Sequence, residues 1–333
     1  FGEDASYLKL GFTWPLPENK IRDFAASVDT IYVIEENEPY IEDFVKALGI
    51  ACVGREKLPW VDELTPEVIR RAFFPEAAEK GGYAIDANIP PRPPVLCAGC
   101  THRGFFYEVG KYKDIVVTGD IGCYTLGASA PLSAMDACIC MGASVSALHG
   151  YNKARGPEGE KKAVAVIGDS TFIHSGITSL IDIAYNATNS VVIVLDNSIT
   201  GMTGHQQNPT TGYNIKGDPA AAVDLEALCR AVGIRRVTVV DPYDLKEVTR
   251  VLKEELAAEE PSVIISRRPC ALLKYVKHKP ALKVEPEKCI GCKSCLGIGC
   301  PAISLREGKA VIDGTQCVGC GVCTTLCPKG AIG

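Results

Sequence analysis

Eight cysteines near the C-terminus are the residues best suited to chemistry in this 333-residue chain. They form two runs, each with three cysteines at two-residue intervals and a fourth cysteine directly before a proline. The first run comprises Cys289, Cys292, Cys295 and Cys300, and the second comprises Cys317, Cys320, Cys323 and Cys327. Thiolates at this spacing can bind several corners of one iron-sulfur cubane from a single short loop. The two runs therefore predict a protein that transfers single electrons.

The cysteine before the proline belongs to the neighbouring cluster in such repeats, which are typical of two-cluster ferredoxins. We therefore assign one [4Fe-4S] cluster to Cys289, Cys292, Cys295 and Cys327, and the other to Cys317, Cys320, Cys323 and Cys300. Zinc and disulfides are the alternatives. Structural zinc typically uses two paired cysteine knuckles per site, and disulfides are favoured in small secreted domains, so both fit this pattern less well than iron.

Composition limits the other classes of function. The chain is 47% hydrophobic and 23% charged, which is enough for two or three folded domains. A net charge of -5 without a basic stripe argues against nucleic acid as the partner. No apolar stretch approaches the ~20 residues of a membrane-spanning helix. Sixteen cysteines favour a reducing compartment, so we expect a cytoplasmic protein that binds neither nucleic acid nor membrane.

Helices and short apolar strands alternate through the middle of the chain. We predict strands at 115–118, 163–167, 191–195, 236–240 and 262–266, and helices at 101–111, 141–154, 175–185, 224–232 and 245–258. This alternation predicts an α/β fold with a parallel sheet covered on both faces. Ligands of such sheets bind outside the carboxyl ends of the strands, so chemistry is expected there.

Polar residues follow two of these strands. Gly168, Asp169 and Ser170 come directly after one strand, and Asn197 follows the next strand after Asp196. Carboxylate and amide oxygens are suitable ligands for Mg2+, which commonly bridges a diphosphate. A glycine lets the backbone approach a phosphate closely, and nearby helix N-termini favour negative charge. The alternative interpretation is an ordinary Gly-Asp loop after a strand.

This spacing resembles the thiamine-diphosphate motif of the thiamine-dependent enzymes. The resemblance implies that Asp169 and Asn197 bind Mg2+ through their side chains and that the Ile199 carbonyl is a third ligand. Three further blocks, at 97–103, 119–123 and 141–144, look like the thiamine-diphosphate domain of the 2-oxoacid:ferredoxin oxidoreductases. With the cysteine-rich C-terminus they resemble the large subunits of the indolepyruvate:ferredoxin oxidoreductases in that family.

The resemblance implies further cofactor-binding residues, namely Gly99, Asp120, Gly122, Cys123, Met141, Gly168 and Ser170. It places Cys100 and His102 close to the thiamine or the substrate as candidate catalytic residues. For Cys97 and Cys100, a redox dithiol or a third metal site is the competing interpretation. We interpret Cys138 and Cys140, which flank an apolar residue, as small core residues.

The domain organisation follows from the same resemblance. Residues 1–55 are expected to be the end of a transketolase C-terminal-like domain, with a strand at 31–35 and a helix at 40–48. A proline-rich linker at 56–94, which includes Pro66, Pro90 and Pro91, leads to the thiamine-diphosphate domain at 95–276 and the ferredoxin-like domain at 282–333. We expect a preceding segment to be missing, together with the glutamate that contacts the cofactor's pyrimidine ring in this family.

The implied reaction is the oxidation of an aryl 2-oxoacid, such as indolepyruvate or phenylpyruvate. Coenzyme A accepts the acyl group, carbon dioxide is released and ferredoxin accepts the electrons. Implied partners are a smaller second (beta) subunit and an external ferredoxin, in a dimer of heterodimers. Two alternatives stay open. One is a different 2-oxoacid, such as pyruvate, and the other is a non-catalytic electron-transfer subunit with a thiamine-enzyme-like fold.

Overall fold

The computed structural model describes residues 2, 5–77, 92–160 and 163–333 of the chain. It divides into two compact units, residues 1–91 and 92–333. The predicted linker prolines Pro90 and Pro91 lie outside the described residues. No helix in the described ranges is both long and apolar enough to cross a membrane.

The first unit contains three short helices, α1 (Glu18–Ala25), α2 (Tyr40–Ala47) and α3 (Pro66–Phe73). The predicted strand at 31–35 is wrong, because of these residues only Tyr32 forms a β-bridge, to Val53. Pro66 does not mark an extended linker either. It occupies the first turn of α3, a position that tolerates a missing backbone N–H, and the Thr65 hydroxyl accepts a hydrogen bond from the Val68 N–H.

The second unit is built on a six-stranded parallel sheet, which confirms the predicted α/β fold class. Its strands lie in the spatial order β2-β1-β3-β4-β6-β5. Their bounds are β1 (Val116–Gly119), β2 (Ala137–Cys138), β3 (Ala163–Gly168), β4 (Val191–Asp196), β5 (Arg236–Val240) and β6 (Ser262–Arg267). The sequence interpretation missed β2, whose two residues carry too short a pattern to recognise.

Helices cover both faces of this sheet. They are α4 (His102–Val109), α5 (Ala143–Arg155), α6 (Asp169–Thr171), α7 (Ile177–Tyr185), α8 (Leu225–Ala231) and α9 (Leu245–Ala257), with a π-helical turn joining α6 to α7. The central strands are buried on both sides. Val164 and Val166 of β3 pack with α4 and α9, whereas Ala165 and Ile167 pack with α5 and α7. This alternation places the N-terminus of α4 near the carboxyl ends of β3 and β4.

The C-terminal part of the second unit is a small iron-sulfur-type module. It contains an antiparallel hairpin of β7 (Ile303–Arg306) and β8 (Lys309–Ile312), and the short helix α10 (Val322–Thr325). Its hydrophobic core includes Cys295, Ile298, Val322 and Cys323, and Leu245 of α9 packs into the same core. The module is therefore joined to the parallel-sheet domain by buried apolar contacts.

Candidate cofactor and electron-transfer sites

Asp169 and Asn197 lie next to each other at the carboxyl edge of the sheet. Gly168 at the end of β3 pairs in register with Leu195 of β4, so the residues that follow the two strands face one cleft. This cleft encloses an empty volume of about 530 Å3, including open solvent. Its lining contains the candidate catalytic residue His102 and most of the predicted cofactor-binding residues, namely Gly122, Cys123, Met141, Gly168, Asp169, Ser170, Asn197 and Ile199.

The Asp169 carboxylate is almost completely buried, at 2% exposure. Its Oδ2 accepts hydrogen bonds from Asn208 Nδ2 at 3.2 Å and from Thr210 Oγ1 at 3.3 Å. Burial, together with the negative charge of Asp196, raises the pKa of Asp169 to about 7. A buried carboxylate whose side-chain donors, Asn208 and Thr210, are both neutral fits a cation ligand, since a bound cation would offset its desolvation and the repulsion from Asp196.

Asn197 reaches the cleft from the turn after β4. Its Nδ2 lies 3.5 Å from Nε2 of His102, so the amide oxygen is the atom that could bind a cation. Burial lowers the pKa of His102 to about 4, so the imidazole is neutral and can accept this hydrogen bond. The His102 ring also meets the Tyr124 ring edge to face, with centroids 5.9 Å apart. His102 is therefore held at the cleft by α4 as an uncharged group.

Gly168 has a local packing role that the sequence did not reveal. A Cβ atom at this position would lie 2.4 Å from the Tyr124 ring, so only glycine leaves room for that side chain. The Tyr124 hydroxyl in turn donates to the Ile121 carbonyl at 2.9 Å. The tyrosine thus connects the turn after β1 to the turn after β3, and both turns line the cleft.

Asp120 does not line the cleft. It is fully buried, and its carboxylate accepts hydrogen bonds from the backbone N–H groups of Ile121 at 2.8 Å, Gly142 at 2.9 Å and Ser144 at 3.1 Å. These contacts fasten the start of α5 to the end of β1. The structure therefore gives Asp120 a positioning role behind the cleft wall.

The C-terminal cysteines surround two separate cavities. Cys289, Cys292, Cys295 and Cys327 line one of them, with an empty volume of about 380 Å3, which we call the outer cavity. Cys292 and Ile290 at its rim are exposed. Backbone N–H groups of Ala310 and Ala331 point to the Cys289 and Cys327 sulfurs at 3.5 and 3.1 Å. Such donors are typical of iron-sulfur sites, where they stabilise thiolate charge.

Cys300, Cys317, Cys320 and Cys323 line the second cavity, with an empty volume of about 470 Å3, which we call the inner cavity. The segment 97–103 forms part of its wall through Gly99, Cys100 and Arg103. Gly99 has φ +65°, and a Cβ there would lie 2.2 Å from Cγ2 of Val318. The segment thus packs directly on the second cysteine run, while His102 from the same segment lines the cleft.

Four cysteines around each cavity fit a cubane cluster. In the described part of the chain, no three His, Cys, Asp or Glu side chains are placed to hold a single metal ion. A [4Fe-4S] cluster does not need such a group, because each of its cysteines binds a different iron. Gly291 and Gly319 occupy equivalent places in the two runs with φ +67° and +66°, and both lie too close to neighbouring carbonyls to accept a Cβ.

Two further predicted site residues, besides Asp120, are placed away from the cleft. Gly99 and Cys100 line the inner cavity, not the thiamine-type cleft. Burial raises the pKa of Cys100 to about 12, so its sulfur is a thiol and a poor nucleophile. The interpretation of Cys138 and Cys140 as core residues is wrong, because both are exposed on and just after the edge strand β2. An edge strand of two residues buries little of its own surface.

Sequence reasoning did not single out Asn208, Thr210 or Arg103. Asn208 and Thr210 come from the long loop after β4 and reach Asp169 only through the fold. Arg103 stood inside the block at 97–103, but nothing in its spacing revealed that it would be buried. The sequence did contain one signal of its burial: this charged residue lies in the first turn of a helix and is closely followed by two phenylalanines.

Two protein-family models match separate parts of the second unit. Residues 120–266 match the family described as thiamine pyrophosphate enzyme, C-terminal TPP binding domain. Residues 310–333 match the 4Fe-4S binding domain. The first match contains the Asp169 and Asn197 cleft, and the second contains the Cys317 run.

Relatives align along nearly the whole chain. The indolepyruvate oxidoreductase subunit IorA of Pyrococcus horikoshii is 38% identical over 99% of this chain and 56% of its own length. The subunit of that name from Archaeoglobus fulgidus is 38% identical over 98% of this chain and 55% of its own. The chain thus spans a little over half the length of these relatives. A solved 2-oxoglutarate:ferredoxin oxidoreductase from Magnetococcus marinus superposes with a TM-score of 0.46 at 18% identity, over 57% of this chain and 68% of that one.

The two domain matches and the relatives concern the same residues that form the cleft and the two cavities. A thiamine-binding domain and an iron-sulfur domain therefore occur together in one polypeptide, as the cysteine runs and the strand-end motif predicted. The chain is therefore similar, along nearly its whole length, to a little over half of the indolepyruvate oxidoreductase IorA subunits, and it contains a thiamine pyrophosphate enzyme domain and a 4Fe-4S binding domain.

Proposed function

We propose that this chain contributes the diphosphate site and the electron-transfer clusters of an enzyme that oxidises aryl 2-oxoacids to aryl-acetyl-coenzyme A. Indolepyruvate and phenylpyruvate are the proposed substrates, with coenzyme A and an external ferredoxin as co-substrates. The relatives are indolepyruvate oxidoreductase subunits by name, which supports the substrate class. The proposed assembly is a dimer of heterodimers with a smaller subunit.

In this proposal the side chains of Asp169 and Asn197 and the Ile199 carbonyl would hold Mg2+ together with the diphosphate of the cofactor. Thiamine diphosphate supplies the carbon nucleophile and the electron sink that decarboxylation of a 2-oxoacid requires. The chain's own residues orient it. Asn208 and Thr210 fix the Asp169 carboxylate, and neutral His102 fixes the Asn197 amide.

One observation carries the proposal. The segment 97–103 contributes His102 to the cleft and Gly99, Cys100 and Arg103 to the inner cavity. A single short segment thus separates the proposed site of decarboxylation from a proposed cluster. That arrangement favours oxidation of the substrate over simple decarboxylation, since electrons have an acceptor across one layer of side chains.

Electrons then leave through the outer cavity. The lysines at its rim, Lys288, Lys293 and Lys329, are exposed. Lys288 pairs with Glu285 at 2.8 Å, but the other two lysines have no ion pair among the described residues. A positive rim around a solvent-near cluster suits an acidic electron carrier, because complementary charge speeds encounter. We therefore place the ferredoxin contact here.

The test combines composition with turnover. The protein is expressed together with the proposed smaller subunit and analysed for bound thiamine, magnesium and iron. Reduction of ferredoxin or viologen is then measured with indolepyruvate, phenylpyruvate and pyruvate in the presence of coenzyme A. We expect all three components and a preference for the aryl substrates.

The two alternatives give different results in this test. Iron without thiamine would identify an electron-transfer subunit and contradict the enzyme proposal. Thiamine and iron with a clear preference for pyruvate would keep the reaction type but reject the aryl substrate class. The buried Asp169 favours the enzyme over the electron-transfer subunit. Burying a carboxylate lowers the stability of the fold, and a cation-binding role would account for its presence there.

A further inference from the structure

Arg103 is a buried cation with an unusual set of partners. Its side chain belongs to α4, and the residue is only 4% exposed. All four of its hydrogen-bond acceptors in the described residues are backbone carbonyls: Leu96 and Cys97 before the helix, and Ile298 and Gly299 in the cysteine-rich module. The described residues give it no ion pair with a carboxylate. Its positive charge is therefore hydrogen-bonded but not neutralised.

A buried charge of this kind is normally paired or bound to a metal site. Removing a guanidinium from water costs several kcal/mol, and carbonyl dipoles alone offset only part of that cost. Cys100 and Cys300 line the same cavity as Arg103, whereas no carboxylate of the described residues does. The charges that could balance Arg103 are thus sulfur ligands, not carboxylates.

The inner cavity supplies the missing counter-charge when it holds a cluster. Arg103 lines that cavity together with Cys300, Cys317, Cys320 and Cys323. Most of the remaining lining is apolar, including Leu282, Ile298 and Val322. A cubane with four thiolate ligands is negatively charged, and it becomes more so by one unit on reduction. In an apolar setting, a fixed cation nearby favours the reduced form.

We propose that Arg103 balances the charge of the cluster bound by Cys300, Cys317, Cys320 and Cys323, raises its reduction potential, and makes it the first electron acceptor from the cleft. The inference rests on the proposed function only in that the inner cavity holds an iron-sulfur cluster. The outer cavity has no comparable group, because the lysines of its lining are exposed. Arg103 therefore acts on one cluster and not on the other.

The segment 97–103 explains the order of transfer. Residue 102 lines the cleft and residue 103 lines the inner cavity, so two consecutive side chains face the two sites. Tyr243 supports the same segment by donating a hydrogen bond to the Gly99 carbonyl. The described residues place no equivalent bridge between the cleft and the outer cavity. The inner cluster is thus the proximal one.

The test is a reductive titration of the iron-loaded protein, followed by electron paramagnetic resonance. Arg103→Gln removes the charge, Arg103→Lys keeps it, and Arg250→Gln on the exposed face of α9 is the matched control. Cys320→Ser identifies which signal belongs to the inner cluster. In Arg103→Gln we expect the reduction equilibrium constant of the inner cluster to fall about tenfold, or about 59 mV for one electron. The outer cluster, Arg103→Lys and the control should stay close to the parent protein.

Unchanged potentials in Arg103→Gln, or equal shifts of both clusters, would overturn the proposal. So would Arg103→Lys behaving like Arg103→Gln, because shape and not charge would then matter. If Arg103→Gln cannot hold the inner cluster but Arg103→Lys can, the requirement for charge is supported. If neither variant holds it, the role is structural and the proposal fails. Absence of iron in the parent protein would instead reject the proposed function itself.

Discussion

Replacing Asp120 by alanine tests how the wall of the cleft is built. The carboxylate is fully buried and accepts hydrogen bonds from the N–H groups of Ile121, Gly142 and Ser144. Alanine removes the acceptor of all three donors at once. Since each unsatisfied buried donor costs about 1–3 kcal/mol, the sum is about 3–9 kcal/mol. Local relaxation and entry of water reduce this, so we expect a loss of about 3–4 kcal/mol in the free energy of unfolding.

Asp136→Ala is the matched control because Asp136 contacts the same strand, β1. Its Oδ2 accepts one hydrogen bond, from the Val117 N–H at 2.7 Å, and the residue is exposed. A single accessible hydrogen bond is worth about 1 kcal/mol. The two aspartates therefore differ in the number and burial of their hydrogen-bond donors. Comparing the two variants separates the loss of the buried hydrogen bonds from the general effect of removing a carboxylate.

The assay is urea unfolding of both variants, together with titration by thiamine diphosphate and magnesium. Asp120→Ala should also weaken cofactor binding by tenfold or more, because Gly142 and the start of α5 lose their fixed position beside Met141. Asp136→Ala should bind the cofactor normally. Equal destabilisation by the two changes, or normal binding in Asp120→Ala, would refute the role that we assign to Asp120.

Three further outcomes are expected. Gly99→Ala should lose the inner cluster, because the new Cβ would lie 2.2 Å from Cγ2 of Val318. Adding Val318→Ala should restore much of the iron content, and no restoration would contradict this contact. Cys138, which is exposed, should react with maleimide in the folded chain. Cys229 should react only after unfolding, because burial shields its thiol and raises its pKa to about 12. The reverse order of reaction would contradict the described burial. Lys293→Glu should raise the KM for ferredoxin without changing viologen reduction, and an unchanged KM would move the carrier site elsewhere.

The elements that the sequence predicted best were those whose pattern is repeated and locally complete. The strands β3 and β4 contain apolar runs rich in valine and isoleucine, and both strands are buried along their whole length. The cysteine runs likewise carry their chemistry in spacing alone. By contrast, Pro66 was interpreted as linker because proline interrupts most structure, although it is well tolerated in the first turn of a helix.

Site residues whose position depends on distant chain segments could not be predicted. Asp120 follows a strand just as Asp169 does, so local pattern gives both the same role. The position of α5 makes the difference. Backbone N–H groups at its start donate hydrogen bonds to the Asp120 carboxylate, whereas Asp169 lines the cleft. Cys100 and His102 are two residues apart, yet Cys100, in the turn before α4, lines the inner cavity, and His102, the first residue of α4, lines the cleft.

The most direct test of the account asks whether substrate electrons reach the clusters through the cleft. The assembled enzyme is mixed anaerobically with indolepyruvate and coenzyme A in the absence of ferredoxin, and cluster reduction is followed by electron paramagnetic resonance. The account predicts that the clusters of the parent enzyme become reduced. In Asp169→Ala they should stay oxidised with indolepyruvate but still be reduced by dithionite. Clusters that remain oxidised in the parent enzyme, or that substrate reduces equally well in Asp169→Ala, would contradict the account.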